Sequence, residues 1–441
     1  MKNIWLQSLA ITLFVFLTLW GASNITDFKL FSAFDPISQA LSDFELTDYA
    51  FSNLRHDPLV DQRIILVNFG DLPRREVAQQ LQIISQYKPK VIGIDGYYNC
   101  EGGLRDTVNC PQLIDTLGNL MLANAIEQAG NVVLVSKLLQ SDSASNAEAI
   151  DLYDSIEYSD PIFSDHARNA YANLVTGAVY QEDVKLCRSF IPKYTVRGKD
   201  EYAFAVQICM VYDSVKTKKF LARNKEEEVI NYHGNVEIQD IRLKNLKRKS
   251  TTTTNYPIMF YAIDANQLMN GEVLPEMFKD NIVIVGFLGA YFGEATWIDK
   301  YFTPLNKKVA GRANPDMFGL VVHANIVAMI LNEDYVSELA EWEKYVIGLL
   351  VCFFTVVLFI EIDLKLPAWF DALSVLIQLA QILLISGLVV YTYAGYSFKL
   401  DLALTLGVAA LVGPCYDIYK SVQNEVIRRF TKPKSGVLTN N

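Results

Sequence analysis

Four apolar runs constrain this 441-residue chain more than any other feature: Ile4 to Trp20, Tyr345 to Ile360, Ala372 to Ala394 and Leu400 to Tyr416. Each comes near the roughly 20 residues needed to cross a bilayer, and the long stretch between the first and second runs contains none. A composition of 51% hydrophobic and 20% charged residues fits membrane segments joined to an ordinary globular region. The first run is followed by Gly21, Ala22 and Ser23, so it reads either as a membrane anchor or as a cleaved signal peptide.

Lys420, Arg428, Arg429, Lys432 and Lys434 follow the last run against a single Glu425, which places the C-terminus in the cytoplasm by the positive-inside rule. Four spans then place the N-terminus there too, and the region from Asn24 to Glu341 faces outward. The expected domains are an anchor over 1–23, an exported α/β domain over 24–341 and a three-helix membrane region over 342–419. A short basic tail over 420–441 completes the chain.

Within the exported region, β-branched runs alternate with helical patterns. Strands are expected at Arg63 to Phe69, Lys90 to Asp95, Asn131 to Val135 and Ile282 to Val285, with helices over Arg74 to Tyr87 and Leu113 to Ala129. This rhythm is that of βαβ units, so the fold class expected is α/β with a mostly parallel central sheet, plus four transmembrane helices. Thr26 to Arg55 reads as an amphipathic connector, and Gln140 to Asp165 as an exposed acidic insertion. Further strands are expected at Gly177 to Tyr180, Val184 to Ile191 and Val229 to Tyr232. A helix from Tyr202 to Tyr212 precedes a charged linker around Lys216 to Glu228. The five basic residues between Arg242 and Lys249 read as a solvated loop or as a docking surface for an acidic partner; nucleic acid is not expected outside the membrane.

The stretch from Asn281 to Leu331 carries the first site candidate. Its opening strand is followed by a long loop with Asp299, Thr303 and Pro304, and then by a helix. Loops leaving the carboxyl ends of parallel strands are where α/β sheets bind ligands. Asp95 ends another such strand, so Asp95 and Asp299 could together bind a cation or a hydroxyl-rich ligand; the alternative is that they cap helices or fix turns. His323 and Asn325 near the helix start could join them, or be satisfied core residues.

Of the six cysteines, Cys352 and Cys415 fall in apolar runs and four lie outside. Cys100 and Cys110 are close enough in sequence to form a disulfide in an oxidising compartment, while Cys187 and Cys209 read as a second bridge or as buried thiols. No zinc-binding cluster, P-loop, H-E-x-x-H, G-x-S-x-G or dinucleotide glycine motif is legible, which points away from an enzyme and leaves any cofactor unknown.

In order, RIILVNFGD, LPRREVAQQL, KPKVIGIDGYY, AIEQAGNVVLV, EYAFAVQICMVYD, INYHG, FKDNIVIVGFLG, DKYFTP and MFGLVVHANIVAMIL resemble the second type of CHASE domain, an extracellular sensory module of cyclases and histidine kinases. The resemblance runs from about Phe44 to Val336 and marks Asp95 and Asp299 as motif positions. It implies a sensory domain in the periplasm, anchored in the inner membrane with both termini cytoplasmic. The usual cyclase or kinase is missing after the last span, so the resemblance implies relay to a separate membrane or envelope protein. Phe287, Tyr291, Phe292 and Trp297 stand where the family has small residues, which implies an altered or filled pocket. The rival reading is a structural or scaffolding subunit of an envelope complex; an exported enzyme is a third.

Overall fold

The computed structural model describes residues 4–25, 46–54, 58–99, 115–140, 153–176, 185–236, 258–306 and 314–431. They form two compact units, one of residues 43–336 and one of residues 1–42 with 337–441. Helices of eight residues or more are numbered below.

The larger unit begins with α2 (Leu46–Asn53), after the N-terminal α1 (Ile4–Ile25) of the other unit. Asp48 of α2 pairs with Arg188 at 2.7 Å, so the last turns of the expected connector are fastened to the domain. Strand β1 (Ile64–Asn68), helix α3 (Arg74–Gln86), strand β2 (Val91–Asp95), helix α4 (Thr116–Ala129) and strand β3 (Val132–Leu139) follow in alternation. Asp115 caps α4 through the Gly118 N–H, and Gly130 ends it in the left-handed conformation, so the helix bounds follow from residue chemistry.

The sheet has eight strands, completed by β4 (Ser155–Glu157), β5 (Arg168–Tyr171), β6 (Asn235–Val236), β7 (Ile258–Ile263) and β8 (Ile282–Gly286). Its order is β6-β7-β1-β8-β2-β3, with β4 and β5 both paired to β3. All pairings are parallel except that of β4 with β3. β1 and β8 are buried along their whole length, which explains their unbroken apolar sequences.

Side chains alternate across the sheet. Ile92 and Ile94 join the core formed with Val77, Leu81 and Ile84 of α3 and Leu122 and Ile126 of α4. Gly93 points the other way, toward α5 (Phe204–Tyr212), where an added Cβ would come within 2.6 Å of Ile208 and 2.9 Å of Phe204. By the same alternation Asp95 lies on the Gly93 face.

Several sequence expectations change. The charged linker after Tyr212 starts as a helix, α6 (Ser214–Leu221), because Asp213 accepts the N–H groups of Val215 and Lys216. The acidic insertion is not uniformly exposed: Phe163 is fully buried and Ser159 accepts no more than 2% exposure. The expected strand at Val229 to Tyr232 shortens to Glu228–Val229, paired with Ser189–Phe190, and the expected Val184 to Ile191 segment adds, among the described residues, an isolated bridge from Leu186 to Phe302. Cys187 and Cys209 are buried free thiols rather than a bridge. Cys100 and Cys110, Gly177 to Tyr180 and Arg242 to Lys249 lie outside the described residues.

A two-residue antiparallel pair, β9 (Lys300–Tyr301) with β10 (Met317–Phe318), leads into α7 (Gly319–Asn332). Every residue of α7 from Gly319 to Leu331 is buried, so this helix is apolar because the domain surrounds it.

The smaller unit joins α1 to α8 (Glu341–Lys365), α9 (Phe370–Tyr396) and α10 (Ala403–Thr431). Among the described residues three helical segments, Ile4–Gly21, Glu341–Lys365 and Pro367–Tyr396, are long and apolar enough to cross a membrane. The fourth expected span falls in α10, which also carries Asp417 and Lys420 and does not clearly meet that measure. Ile11, Val15, Cys352, Val356, Phe359, Phe370, Val408 and Val412 share one core among the four helices.

Pro414 lies inside α10 and has no N–H to offer the carbonyl of Ala410. Gln378 of α9 supplies the missing donor: its Nε2 lies 3.0 Å from the Ala410 carbonyl and 2.9 Å from that of Ala409. Gly413 leaves the space that the amide fills. Gln381, one turn away, donates to Thr355 Oγ1 at 2.7 Å. The two glutamines therefore join helices of this chain.

Candidate functional site

The register of the sheet sets three residues level at its carboxyl edge: Asn68 of β1, Gly286 of β8 and Asp95 of β2. Asn68 is structural, since it donates to Asp264 and the Gly289 carbonyl and accepts from the N–H groups of Gly70 and Leu288. Gly286 makes room for Leu320. The Asp95 carboxylate has no hydrogen bond among the described residues and lines a cavity of about 310 Å³.

Asp299, Tyr301, Gly319 and His323 line the same cavity, as do Ser136 to Leu139 of β3 and Ala172 to Leu174 after β5. Asp299 reaches it from a left-handed turn residue, with φ of 53°. Its backbone carbonyl accepts the Gly319 N–H at 2.9 Å, while its carboxylate lies against Gly319 and beside the Tyr301 hydroxyl. The carboxylate thus sits at the first residue of α7, where the helix dipole favours a negative charge.

Electrostatics distinguish the cavity from ordinary surface. Burial pushes the Asp95 carboxyl above the usual carboxylate range. Burial does the same to Asp299, and the nearby Asp95 carboxylate adds to the effect, against which Lys185 acts weakly. Burial pulls the His323 imidazole down to about 4, so the ring is neutral at physiological pH. The ring lies beside the Ala172 carbonyl and stands edge-on to Phe204, with centroids 5.2 Å apart. Its Nδ1 has no partner among the described residues, and neither has the fully buried Ser136 Oγ.

Three of the four sequence candidates, Asp95, Asp299 and His323, therefore converge. Asn325 does not line the cavity. Its Oδ1 accepts from the His233 and Gly234 N–H groups, and its Nδ2 donates at 2.9 Å to the carbonyls of Gly234 and Val321. Two residues along a helix turn by about 200°, so His323 and Asn325 face different ways. The aromatic loop residues do not fill the cavity either: Phe287 packs on Phe318, Phe292 is buried elsewhere, and Tyr291 and Trp297 are exposed.

Sequence reasoning missed Ser136 and Tyr301. Ser136 is the lone hydroxyl in the apolar strand VVLVSKLL, and Tyr301 sits two residues after Asp299. It also missed Asp316, a buried carboxyl that accepts from Thr303 N at 2.9 Å, Thr303 Oγ1 at 2.5 Å and Asn306 Nδ2 at 3.2 Å. Thr303 thereby braces the loop and α7 rather than the cavity. Among the described residues, no group of three or more His, Cys, Asp or Glu side chains is placed to hold a metal ion.

The model of the CHASE2 domain family matches residues 33–360. No match was found among curated proteins or among solved structures.

Proposed function

The chain belongs to the CHASE2 domain family, an extracellular sensory domain family, and on that premise we propose that it is a membrane-anchored sensor whose cavity binds a small envelope ligand. The observation that carries this reading is a cavity at the carboxyl edge of a parallel sheet, lined by Asp95, Asp299, Ser136 and His323, where Ser136 Oγ and His323 Nδ1 are buried without a partner among the described residues. Its state passes through the membrane helices to a separate membrane or envelope protein. α7, which carries Gly319 and His323, ends eight residues before α8 begins in sequence, so a shift of α7 has a short covalent route to the membrane helices. The ligand drives that shift only by binding the two states unequally.

The topology that supports this reading has four spans, with α10 as the fourth and both termini in the cytoplasm. The basic residues after Tyr419 support it, as does the 29-residue length of α10, about 43 Å at 1.5 Å per residue. The large domain then stands in the periplasm of a bacterial inner membrane.

A scaffolding subunit of an envelope complex is the second reading. Exposed Trp297 and Ile298, 64% and 69% accessible, favour it as a contact for another protein. Purification of the full chain in mild detergent, followed by mass spectrometry of copurifying proteins, separates the two. The sensor reading expects a partner whose activity changes in the double variant Asp95→Asn, Ser136→Ala; the scaffold reading expects one unchanged assembly.

A further inference from the structure

The polar atoms of the cavity are strongly biased toward acceptors. His323 is 3% exposed, and with the Ala172 carbonyl beside the ring its Nδ1, which has no partner among the described residues, can offer a lone pair. Ser136 Oγ is unpartnered and fully buried. The Asp95 carboxylate accepts no hydrogen bond among the described residues, and the Asp299 carboxylate has lone pairs beyond the one that faces the Tyr301 hydroxyl.

The nitrogen donors that Asn173 and Lys137 bring to the lining are already engaged. Asn173 donates to the Leu138 carbonyl at 3.0 Å and accepts the Leu138 N–H at 2.8 Å. Lys137 Nζ lies over the Tyr97 ring, 4.1 Å from its centroid. A ligand that brings N–H donors and positive charge satisfies this lining.

The size of the cavity narrows the class further. About 310 Å³ holds roughly ten waters at about 30 Å³ each, which admits a small molecule and not a polymer. A bare divalent ion fits poorly, because no trio of ligating side chains is gathered among the described residues.

We propose that the cavity binds a small organic ammonium ion, a primary amine whose N–H groups meet Asp95, Asp299, Ser136 Oγ and His323 Nδ1; this rests on the cavity being the sensory site. The amine supplies the donors that Nδ1 and Oγ lack, and its charge compensates the paired carboxylates.

Isothermal titration of the full chain in lipid nanodiscs tests this with ethylammonium, ethanolamine and 1,4-diaminobutane, set against 1,2-ethanediol, acetate and calcium chloride. At least one ammonium probe should bind saturably, one per chain, with affinity at least about tenfold weaker in Asp95→Asn and several-fold weaker in Ser136→Ala. Both variants should keep a cooperative thermal transition. Silence of all three ammonium probes, or binding indifferent to Asp95→Asn, overturns the proposal. Asp95-dependent binding of calcium or acetate instead overturns the ammonium class and leaves the sensory reading standing. The sensory reading itself fails separately, if the double variant leaves partner activity unchanged.

Discussion

The carboxylate of Asp299 occupies the space that a side chain on Gly319 would need: a Cβ there would lie 2.9 Å from Oδ1 and 3.0 Å from Oδ2. Gly319 is also the first residue of α7 and gives its N–H to the backbone carbonyl of Asp299 at 2.9 Å. Gly319→Ala should therefore displace Asp299, lower stability by about 1–3 kcal/mol through overpacking, and weaken ligand binding together with it. Thermal denaturation and titration on the same sample check both effects.

Asn325 gives the opposite pattern. Replacing it with alanine leaves the Gly234 carbonyl and the His233 and Gly234 N–H groups without their partner, at a cost of roughly 1–3 kcal/mol. Since it does not line the cavity, Asn325→Ala should lower the melting temperature and leave the affinity of the folded protein for its ligand unchanged.

The pH dependence follows from the raised carboxyls. Burial lifts Asp95; burial and then the Asp95 charge lift Asp299, so the folded state holds these protons more tightly than the unfolded chain. Their stabilising contribution is complete below the ordinary carboxyl value of 3.8 and is lost as pH rises through the raised values near neutrality. Without ligand, the melting temperature of the wild type should fall from about pH 5 to about pH 8, and Asp95→Asn should flatten that fall. A cationic ligand prefers the ionised pair, so its affinity should rise over the same interval. The charged and titratable neighbours Lys137, Lys185, Tyr98, Tyr301 and neutral His323 should set the steepness, not the sign.

In the membrane unit, Gln378→Leu removes the donor that reaches the Ala409 and Ala410 carbonyls beside Pro414. It should destabilise the helix assembly by about 1–2 kcal/mol, read as a lower unfolding midpoint in detergent. Replacing Pro414 with alanine in the same chain restores the N–H and should recover part of the loss.

The sequence made the parallel sheet legible because β1, β2, β3 and β8 are apolar runs of strand length, separated by a helix or a loop. β7 was missed: IMFYAI follows a Thr-rich segment and lies next to β1 only through the sheet order. Asp95 and Asp299 could be picked out from their places after strands, but their convergence depends on long-range register and on the left-handed turn at Asp299. Ser136 carried only the faint signal of one hydroxyl within an apolar strand. Asn325 looked like a partner of His323 in sequence, and the rotation of the helix separates them.

Native mass spectrometry of the full chain, taken from its own membrane into nanodiscs, tests the central claim most directly. The wild type should carry one small molecule per chain, and the double variant Asp95→Asn, Ser136→Ala should fold with the cavity empty. A wild-type chain with no bound small molecule, or one that both proteins hold equally, would contradict the assignment of this cavity as the sensory site.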